Sequence, residues 1–224
     1  LQLSKKVTQQ KADIGFAFDG DGDRLIAVDE KGTEIDGDRI IALFCKNFIK
    51  PKNKANHYDV IITVMSNMGL EKYLTQKLKL KTKRTKVGDI NVINQMKKSK
   101  SLIGGEQSGH IIMSKYSNSG DGIMAALKIT EILTNSKNSS SKIFNLYKDF
   151  HQEKVNLVYK KKNKKLLQII DNLNKNKSIN NNIRSLVRLS GTEPVVRILV
   201  ESENINLLKE KIKKIKNIIR PYLA

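Results

Sequence analysis

The sequence has 224 residues, 39% of them hydrophobic, so it can form one large domain or two to three small ones with hydrophobic cores. The formal net charge is +20, but only 7 of the 42 basic residues are arginine and 5% of residues are aromatic, which disfavours nucleic acid as a partner. No apolar run reaches the ~18 to 20 residues of a membrane span, residues 1–11 are too polar for a secretory signal, and the single Cys45 excludes an intrachain disulfide. We therefore expect a cytoplasmic globular protein with no membrane partner.

The first 36 residues are predicted to be the end of a truncated α/β domain. Residues 1–11 are typical of a helix tail, and the strands Ile14–Phe18 and Leu25–Asp29 flank a loop of glycine and aspartate. A turn follows at residues 30–33. We expect this segment to be the remnant of a second domain in a longer architecture.

Residues 37–150 are predicted to form one complete three-layer α/β domain with a mixed sheet, because strand-length apolar runs alternate with segments of helical period. Strands are expected at Val60–Val64, Lys81–Thr85, Leu102–Gly104 and His110–Met113. Helices are expected at Asp38–Phe48, Asp89–Lys98 and Lys142–Phe150. A further helix is expected around Leu70 to Leu78 with Ser66 as its cap, and another after Gly120-Asp121-Gly122 that contains Ile123, Leu127 and Leu133.

Residues 151–224 are predicted to form a small α+β domain. Strands are expected at Lys154–Tyr159, Arg184–Leu189 and Val195–Glu201, with a helix at Lys164–Leu173 and a polar loop at 174–182. In the last helix Leu208, Ile212, Ile215 and Ile219 recur at helical spacing with lysines opposite, which favours docking on the domain's own sheet over binding to a membrane surface.

The loop Asp19-Gly20-Asp21-Gly22-Asp23-Arg24 places three carboxylates two residues apart, and its glycines let the backbone curl. Asp19, Asp21 and Asp23 can then face one hard divalent cation, for which we favour Mg²⁺. An EF-hand is the alternative, since Glu30 would be its twelfth position. It requires glycine where Arg24 stands and helices on both sides.

A second loop, Gly104-Gly105-Glu106-Gln107-Ser108-Gly109-His110, presents a carboxylate, a hydroxyl and an imidazole between glycines. Glu106 and Ser108 together suit a pair of sugar hydroxyls. His110 is either a proton-transfer group or a structural histidine.

A third loop, Arg188-Leu189-Ser190-Gly191-Thr192-Glu193-Pro194, is followed by Arg197. Hydroxyls, free N–H groups and two guanidiniums in one strand–loop–strand segment can bind a phosphate. The alternative is a hairpin with incidental arginines.

In order and spacing, the three loops resemble the metal, sugar and phosphate loops of the α-D-phosphohexomutases. The Gly-Gly-Glu-Gln-Ser-Gly-His form, the run Val64–Leu70 and the run Arg84–Asp89 are most similar to the phosphoglucosamine mutase branch of that family. The resemblance covers essentially the whole chain and identifies it with the C-terminal half of such an enzyme.

The resemblance implies an isomerase of carbohydrate metabolism that moves a phosphoryl group between O6 and O1 of glucosamine phosphate, for amino-sugar and cell-wall precursor synthesis. A phosphoserine and a bisphosphorylated sugar intermediate would take part, with Mg²⁺ on Asp19, Asp21 and Asp23. Arg24 would lie beside the reacting phosphoryl group, and Glu106 and Ser108 would bind the sugar. The resemblance assigns the other phosphate to Arg188, Ser190, Gly191, Thr192 and Arg197.

The sequence departs from the family at one decisive point, because no Ser/Thr-Ala-Ser-His-Asn-Pro-like loop occurs in it. Residues Ile90-Asn91 also stand where many relatives have Arg-Tyr. We expect a fragment or one piece of a split gene that is inactive alone, with a separate N-terminal half as a partner and a homodimer left open. Alternatives are phosphomannomutase/phosphoglucomutase activity, a non-catalytic phosphosugar-binding fragment, and a basic nucleic-acid-binding domain.

Overall fold

The computed structural model describes residues 2–49, 59–161, 163–175 and 182–223. It divides into two compact units, Leu1–Lys148 and Asp149–Ala224. The helices of the first unit are α1 Gln2–Gln10, α2 Gly37–Phe48, α3 Met68–Lys72, α4 Asp89–Ser99, α5 Gly122–Thr134 and α6 Ser140–Phe144. Its strands are β1 Ile14–Phe18, β2 Leu25–Asp29, β3 Glu34–Ile35, β4 Asp59–Thr63, β5 Lys81–Thr85, β6 Ile103–Gly105 and β7 Ile111–Met113.

A small antiparallel sheet of order β1-β2-β3 carries the aspartate-rich loop between its first two strands. Leu25, Ala27 and Ile35 of this sheet lie in the same buried core as residues of α2. The sheet is thus part of the first compact unit, and the separate domain expected for residues 1–36 stays a prediction.

A mixed sheet of order β5-β4-β6-β7 forms the middle layer, as predicted for residues 37–150. Strands β5 and β6 run parallel to β4, and β7 is antiparallel to β6. Alternation along β4 sends Val60 and Ile62 into the core shared with α2, while Ile61 packs with Val92 and Met96 of α4. Helices on both faces give the three-layer α/β fold.

Two local predictions for this unit are wrong. Asn67, not Ser66, caps α3, because its side chain accepts the N–H of Gly69 at 2.8 Å, and the helix continues as a π-helical turn at Tyr73–Lys77. The helix expected at Lys142–Phe150 is α6, which begins at Ser140 and ends at Phe144. The helix predicted to carry Ile123, Leu127 and Leu133 is confirmed as α5, whose buried residues are Gly122, Ala125, Ala126 and Ile129, while Ile123 and Leu127 are exposed.

The second unit is an α+β fold, as predicted. It consists of β8 His151–Val158, α7 Lys164–Lys175, β9 Ile183–Leu189, β10 Val195–Ser202 and α8 Ile205–Ile219, with a 3-10 turn at Arg220–Tyr222. The three strands form an antiparallel sheet of order β8-β10-β9. The polar loop expected at 174–182 begins inside α7, and residues 176–181 of it lie outside the described residues.

The apolar stripe on α8 packs inside the second unit. Leu208, Ile212, Ile215 and Ile219 are at most 5% exposed and share a core with Val196, Ile198 and Val200 of β10. Burial of the stripe contradicts the membrane-surface alternative for this helix. Within the described ranges, no helix combines the length and apolarity needed to cross a membrane.

Candidate functional site

The three aspartates after β1 converge, as their spacing predicted. Carboxylate oxygens of Asp19, Asp21 and Asp23 lie within 4.8 Å of one another. The turn needs glycine at Gly22, whose φ is 72°, and the N–H of Gly22 donates to the carbonyl of Asp19 at 3.3 Å. Three carboxylate oxygens at this spacing are a donor set for a hard divalent cation.

The carboxylates of this loop differ in their proton affinity. Burial raises the pKa of Asp23, and the charges of Asp21 and Asp19 add to that effect against the opposing influence of His110. Burial also acts to raise the pKa of Asp19, but the N–H and guanidinium of Arg24 outweigh it and lower the pKa. A cation bound among the three would relieve the repulsion that Asp23 experiences.

The EF-hand alternative is wrong for this loop. Strands β1 and β2 flank it, where an EF-hand has helices. Glu30, the residue that would close an EF-hand, accepts the N–H of Ser141 at 2.7 Å and the hydroxyl of Ser140 at 2.6 Å. Its carboxylate therefore anchors α6.

Main-chain hydrogen bonds attach residues 104–110, the predicted sugar loop, directly to residues 19–24, the predicted metal loop. Arg24 and His110 form an isolated antiparallel bridge, and the N–H of Leu25 donates to the carbonyl of Gly109 at 3.0 Å. Gly109 has a φ of 95°, and a Cβ there would lie 2.2 Å from the carbonyl oxygen of Leu25. Only glycine allows the two loops to approach this closely.

Arg24 and His110 both contact the aspartates. The Arg24 Nε lies 3.5 Å from Asp19 Oδ2 and 3.8 Å from Asp23 Oδ1, with half of its side chain exposed. His110 Nδ1 lies 3.2 Å from Asp23 Oδ2, while its buried Nε2 has no hydrogen-bond partner in the described part of the chain. The ring packs against Gly120, where a Cβ would lie 2.3 Å from it.

The sugar loop itself is a tight turn between β6 and β7. Glu106 is 6% exposed, and its Oε1 accepts the N–H of Gly88 at 2.8 Å, whereas Ser108 is exposed. Gln107 Nε2 donates to Asp36 Oδ2 at 3.2 Å, and its carbonyl accepts the N–H of Gly37 at 3.0 Å. The loop is therefore held from two sides.

A cavity of about 450 Å³ lies beside this loop. It is lined by Ile26, Glu34, Asp36, Thr63, Met65, Val87, Glu106, Gln107 and Ser108. Its size is that of a small polar ligand, and two residues predicted to bind sugar form part of its wall.

In the second unit, the predicted phosphate loop joins β9 to β10. Arg188 and Arg197 pair across these strands, and Ser190, Gly191 and Thr192 form the connecting turn. Arg197 Nη2 binds Glu193 Oε2 at 2.6 Å, but its buried Nε has no hydrogen-bond partner among the residues described. Two guanidiniums beside a turn with hydroxyls suit an anion.

Sequence reasoning missed several residues that position the site. Gly88 has a φ of 117° and presents its N–H to Glu106. Gly122 donates its N–H to the carbonyl of Gly22 at 3.0 Å, so the start of α5 holds the metal loop. The run Asp36-Gly37-Asp38 at the start of α2 was the sequence pattern that could have identified the support of Gln107.

Family models match both units. Residues 36–150 match the phosphoglucomutase/phosphomannomutase alpha/beta/alpha domain III, and residues 154–217 match the C-terminal domain of the same family. Together these ranges include the sugar loop and the phosphate loop.

Curated relatives cover the metal loop as well. The chain is 42% identical over 223 residues to a phosphoglucosamine mutase of Bacillus velezensis, an alignment that covers 97% of the chain and 49% of the relative. It is 40% identical to a phosphoglucosamine mutase of Halalkalibacterium halodurans, covering 99% of the chain and 50% of the relative. The chain thus spans about half the length of the curated relatives it matches.

Solved structures support the fold. A phosphoglucomutase/phosphomannomutase family protein from Burkholderia thailandensis superposes with a TM-score of 0.81 at 22% identity, over 100% of this chain and 50% of that one. An Aspergillus fumigatus N-acetylphosphoglucosamine mutase, solved with GlcNAc-6P and magnesium, gives a TM-score of 0.70 at 19% identity over 99% of this chain and 53% of that one.

Proposed function

Because this chain belongs to the phosphoglucomutase/phosphomannomutase family, we propose that it forms the metal-, sugar- and phosphate-binding half of a phosphoglucosamine mutase. The complete enzyme would interconvert glucosamine 6-phosphate and glucosamine 1-phosphate through a bisphosphorylated sugar. The observation that carries the proposal is the junction of the two loops: Asp19, Asp21 and Asp23 converge within 4.8 Å on a loop that Arg24 and Leu25 join to the sugar loop. The proposed domains are residues 1–36, 37–150 and 151–224.

The aspartate oxygens fit Mg²⁺, the ion named with the Aspergillus structure. When bound, Mg²⁺ would neutralise charge that develops on a transferred phosphoryl group. Arg24, half exposed beside Asp19, would contact the same phosphoryl oxygens. His110 would orient the Asp23 carboxylate through Nδ1, and because its Nε2 is buried we assign it a positioning role.

Glu106 and Ser108 would bind hydroxyls of the sugar ring, with Glu106 fixed by the Gly88 N–H. Arg188, Ser190, Gly191, Thr192 and Arg197 would bind the phosphate that does not react, since two guanidiniums and a turn rich in N–H and hydroxyl groups neutralise and orient it. The proposal assigns the phosphoryl-carrying serine to the N-terminal half of the enzyme, which the 224 residues do not include.

Complementation tests the function. The chain is mixed with the N-terminal half of the Bacillus velezensis relative, and conversion of glucosamine 6-phosphate is measured with Mg²⁺ or with EDTA. We expect no turnover by the chain alone, turnover by the mixture, and its loss in EDTA. Asp21→Asn should abolish the turnover, whereas Asp13→Asn, which changes an exposed aspartate outside the loop, should retain it.

Full turnover by the chain alone would overturn the split arrangement. A stable complex of the two halves that binds glucosamine 6-phosphate without converting it would instead identify a non-catalytic phosphosugar-binding protein. The same assay with glucose and mannose phosphates would separate the other mutase activities of the family. An assembly of two copies remains part of the proposal, to be tested by the mass of the complex in solution.

A further inference from the structure

The cavity beside the sugar loop has an acidic lining, although the chain as a whole is strongly basic. Three of its nine lining residues, Glu34, Asp36 and Glu106, carry carboxylates, and the other six are neutral. The whole chain contains 42 basic and 22 acidic residues, so composition alone would favour basic side chains at this place. A phosphate would be repelled here, whereas a cation would be attracted.

One of these carboxylates is buried and only half satisfied. Glu106 is 6% exposed, and its Oε1 accepts the Gly88 N–H at 2.8 Å. Its Oε2 accepts no hydrogen bond from the described residues, and Glu106 forms part of the cavity wall. Because Oε2 is not one of the fully buried side-chain atoms without a partner, it is open to the cavity, where a ligand can donate a hydrogen bond to it.

Asp36 is held in a fixed position at the same wall. Its Oδ1 caps α2 by accepting the N–H of Arg39 at 3.1 Å, and its Oδ2 accepts the amide of Gln107 at 3.2 Å. Glu34, two residues earlier on β3, is exposed at the cavity's edge. A cation entering the cavity would therefore meet one exposed carboxylate and two that are held by hydrogen bonds.

We propose that Glu34, Asp36 and Glu106 form the subsite that receives the protonated amine of an amino-sugar phosphate. The inference rests on the proposed function and deepens it by naming the groups that select the sugar. An ammonium group donates three charge-assisted hydrogen bonds, while a hydroxyl donates one and an acetamide carries no charge. The same cavity would thus favour a free amino sugar over its hydroxyl and acetylated analogues.

Competitive binding to the 224-residue chain tests this subsite. Glucosamine 6-phosphate, glucose 6-phosphate and N-acetylglucosamine 6-phosphate are titrated while the NMR signals of the Met65 and Ile26 methyl groups, both at the cavity wall, are followed. The phosphate is common to all three ligands, so differences in affinity report the substituent on C2. We expect the amine to bind about five- to tenfold more tightly than either analogue, since the cavity is open to solvent and its ion pairs are partly screened.

Charge-removing variants test which residues cause the preference for the amine. Glu34→Gln and Asp36→Asn should each reduce it at least about threefold, as a lost charge-assisted hydrogen bond does in a partly exposed site. Asparagine caps helices as well as aspartate, so Asp36→Asn should keep α2, which circular dichroism checks. Glu210→Gln, the same change at an exposed position on α8, should leave the preference intact.

The outcomes separate this inference from the proposed function. Equal affinity for the three ligands, or a preference that survives in the Glu34→Gln/Asp36→Asn double variant, would overturn the amine subsite and leave the mutase assignment standing. Failure of all three ligands to bind would count against both. An amine preference that disappears in the double variant, with binding of glucose 6-phosphate unchanged, would support the subsite.

Discussion

Arg188 and Arg197 lie directly opposite each other on β9 and β10. Directly opposed residues of an antiparallel pair share one face of the sheet, so the two guanidiniums are neighbours. Burial lowers the pKa of Arg188, and the charge of Arg197 lowers it further. The pair is therefore an electrostatic cost in the free chain, and an anion bound between the two would relieve it.

We expect inorganic phosphate to stabilise the chain through this pair, by about 1.4 kcal/mol at ten times its Kd. Arg188→Met should remove this stabilisation. Thermal unfolding in phosphate and in chloride at equal ionic strength measures the effect. Arg220→Met, at an exposed arginine outside the loop, is the control that should still respond to phosphate. Equal stabilisation of the chain and of Arg188→Met would contradict the anion site.

Replacing Gly109 should destabilise the first unit strongly. Gly109→Ala would place a Cβ 2.2 Å from the Leu25 carbonyl oxygen in a backbone with a φ of 95°, and we expect a loss of about 2–4 kcal/mol. Gly20→Ala is the matched control, since a Cβ at Gly20 meets no atom within 4 Å, and should change stability by less than about 0.5 kcal/mol. Urea denaturation compares the two. Similar midpoints for both variants would refute the steric argument.

Glu30 should make the chain sensitive to acid. Burial acts to raise its pKa, but hydrogen bonds from Ser140 and Ser141 outweigh it and lower the pKa from 4.5 to about 2. A lowered pKa means that the stabilisation is fully present above pH 4.5 and is lost as the pH falls toward 2. Glu30→Gln should cost about 1–2 kcal/mol at pH 7 and flatten the stability profile below pH 4.5. Denaturation midpoints from pH 2 to 7 would test it. The control Glu210→Gln should still lose stability below pH 4.5 as the unchanged chain does.

Asp38 should affect the pH dependence of stability in the opposite direction from Glu30. Burial, assisted by the charge of Asp36, raises the pKa of this carboxyl from 3.8 to about 7, although its Oδ2 accepts the N–H of Asn67 at 2.7 Å. Because the folded state holds the proton more tightly, the chain loses stability as the pH rises from 3.8 to about 7. Asp38→Asn keeps an acceptor for Asn67 and should remove about 2–4 kcal/mol of this loss at pH 8. Unfolding in urea at pH 4 and pH 8 measures it, and an unchanged pH slope in the variant would contradict the prediction.

Local pattern was enough to predict the three loops. Glycines alternate with carboxylates at Asp19–Asp23 and frame Glu106 and Ser108, so the chemistry and the turn are encoded within a few residues. The strands beside them were equally clear, because β-branched runs such as Val60–Thr63 are long enough to show their period.

Supports that come from distant parts of the chain were not predictable in this way. The Asp36–Gln107 bond joins residues 71 positions apart, and the Gly88–Glu106 bond joins residues 18 apart. The sequence around either residue of such a pair does not indicate which distant residue will be its hydrogen-bond partner. The helix predicted at 142–150 was misplaced for a similar reason. Its observed start at Ser140 coincides with hydrogen bonds from Ser140 and Ser141 to the distant Glu30, which the local apolar pattern does not indicate.

The bonds Leu25 N–H to Gly109 and Gly122 N–H to Gly22 have a consequence for motion. Both use main-chain atoms, and a Cβ at Gly109 or Gly122 would lie within 2.6 Å of a main-chain oxygen, so replacing either glycine would displace the bonded segments. The metal loop, the sugar loop and the first turn of α5 are therefore joined to one another by main-chain hydrogen bonds. We expect these three segments to move together in any motion of the unit, with a hinge lying outside them.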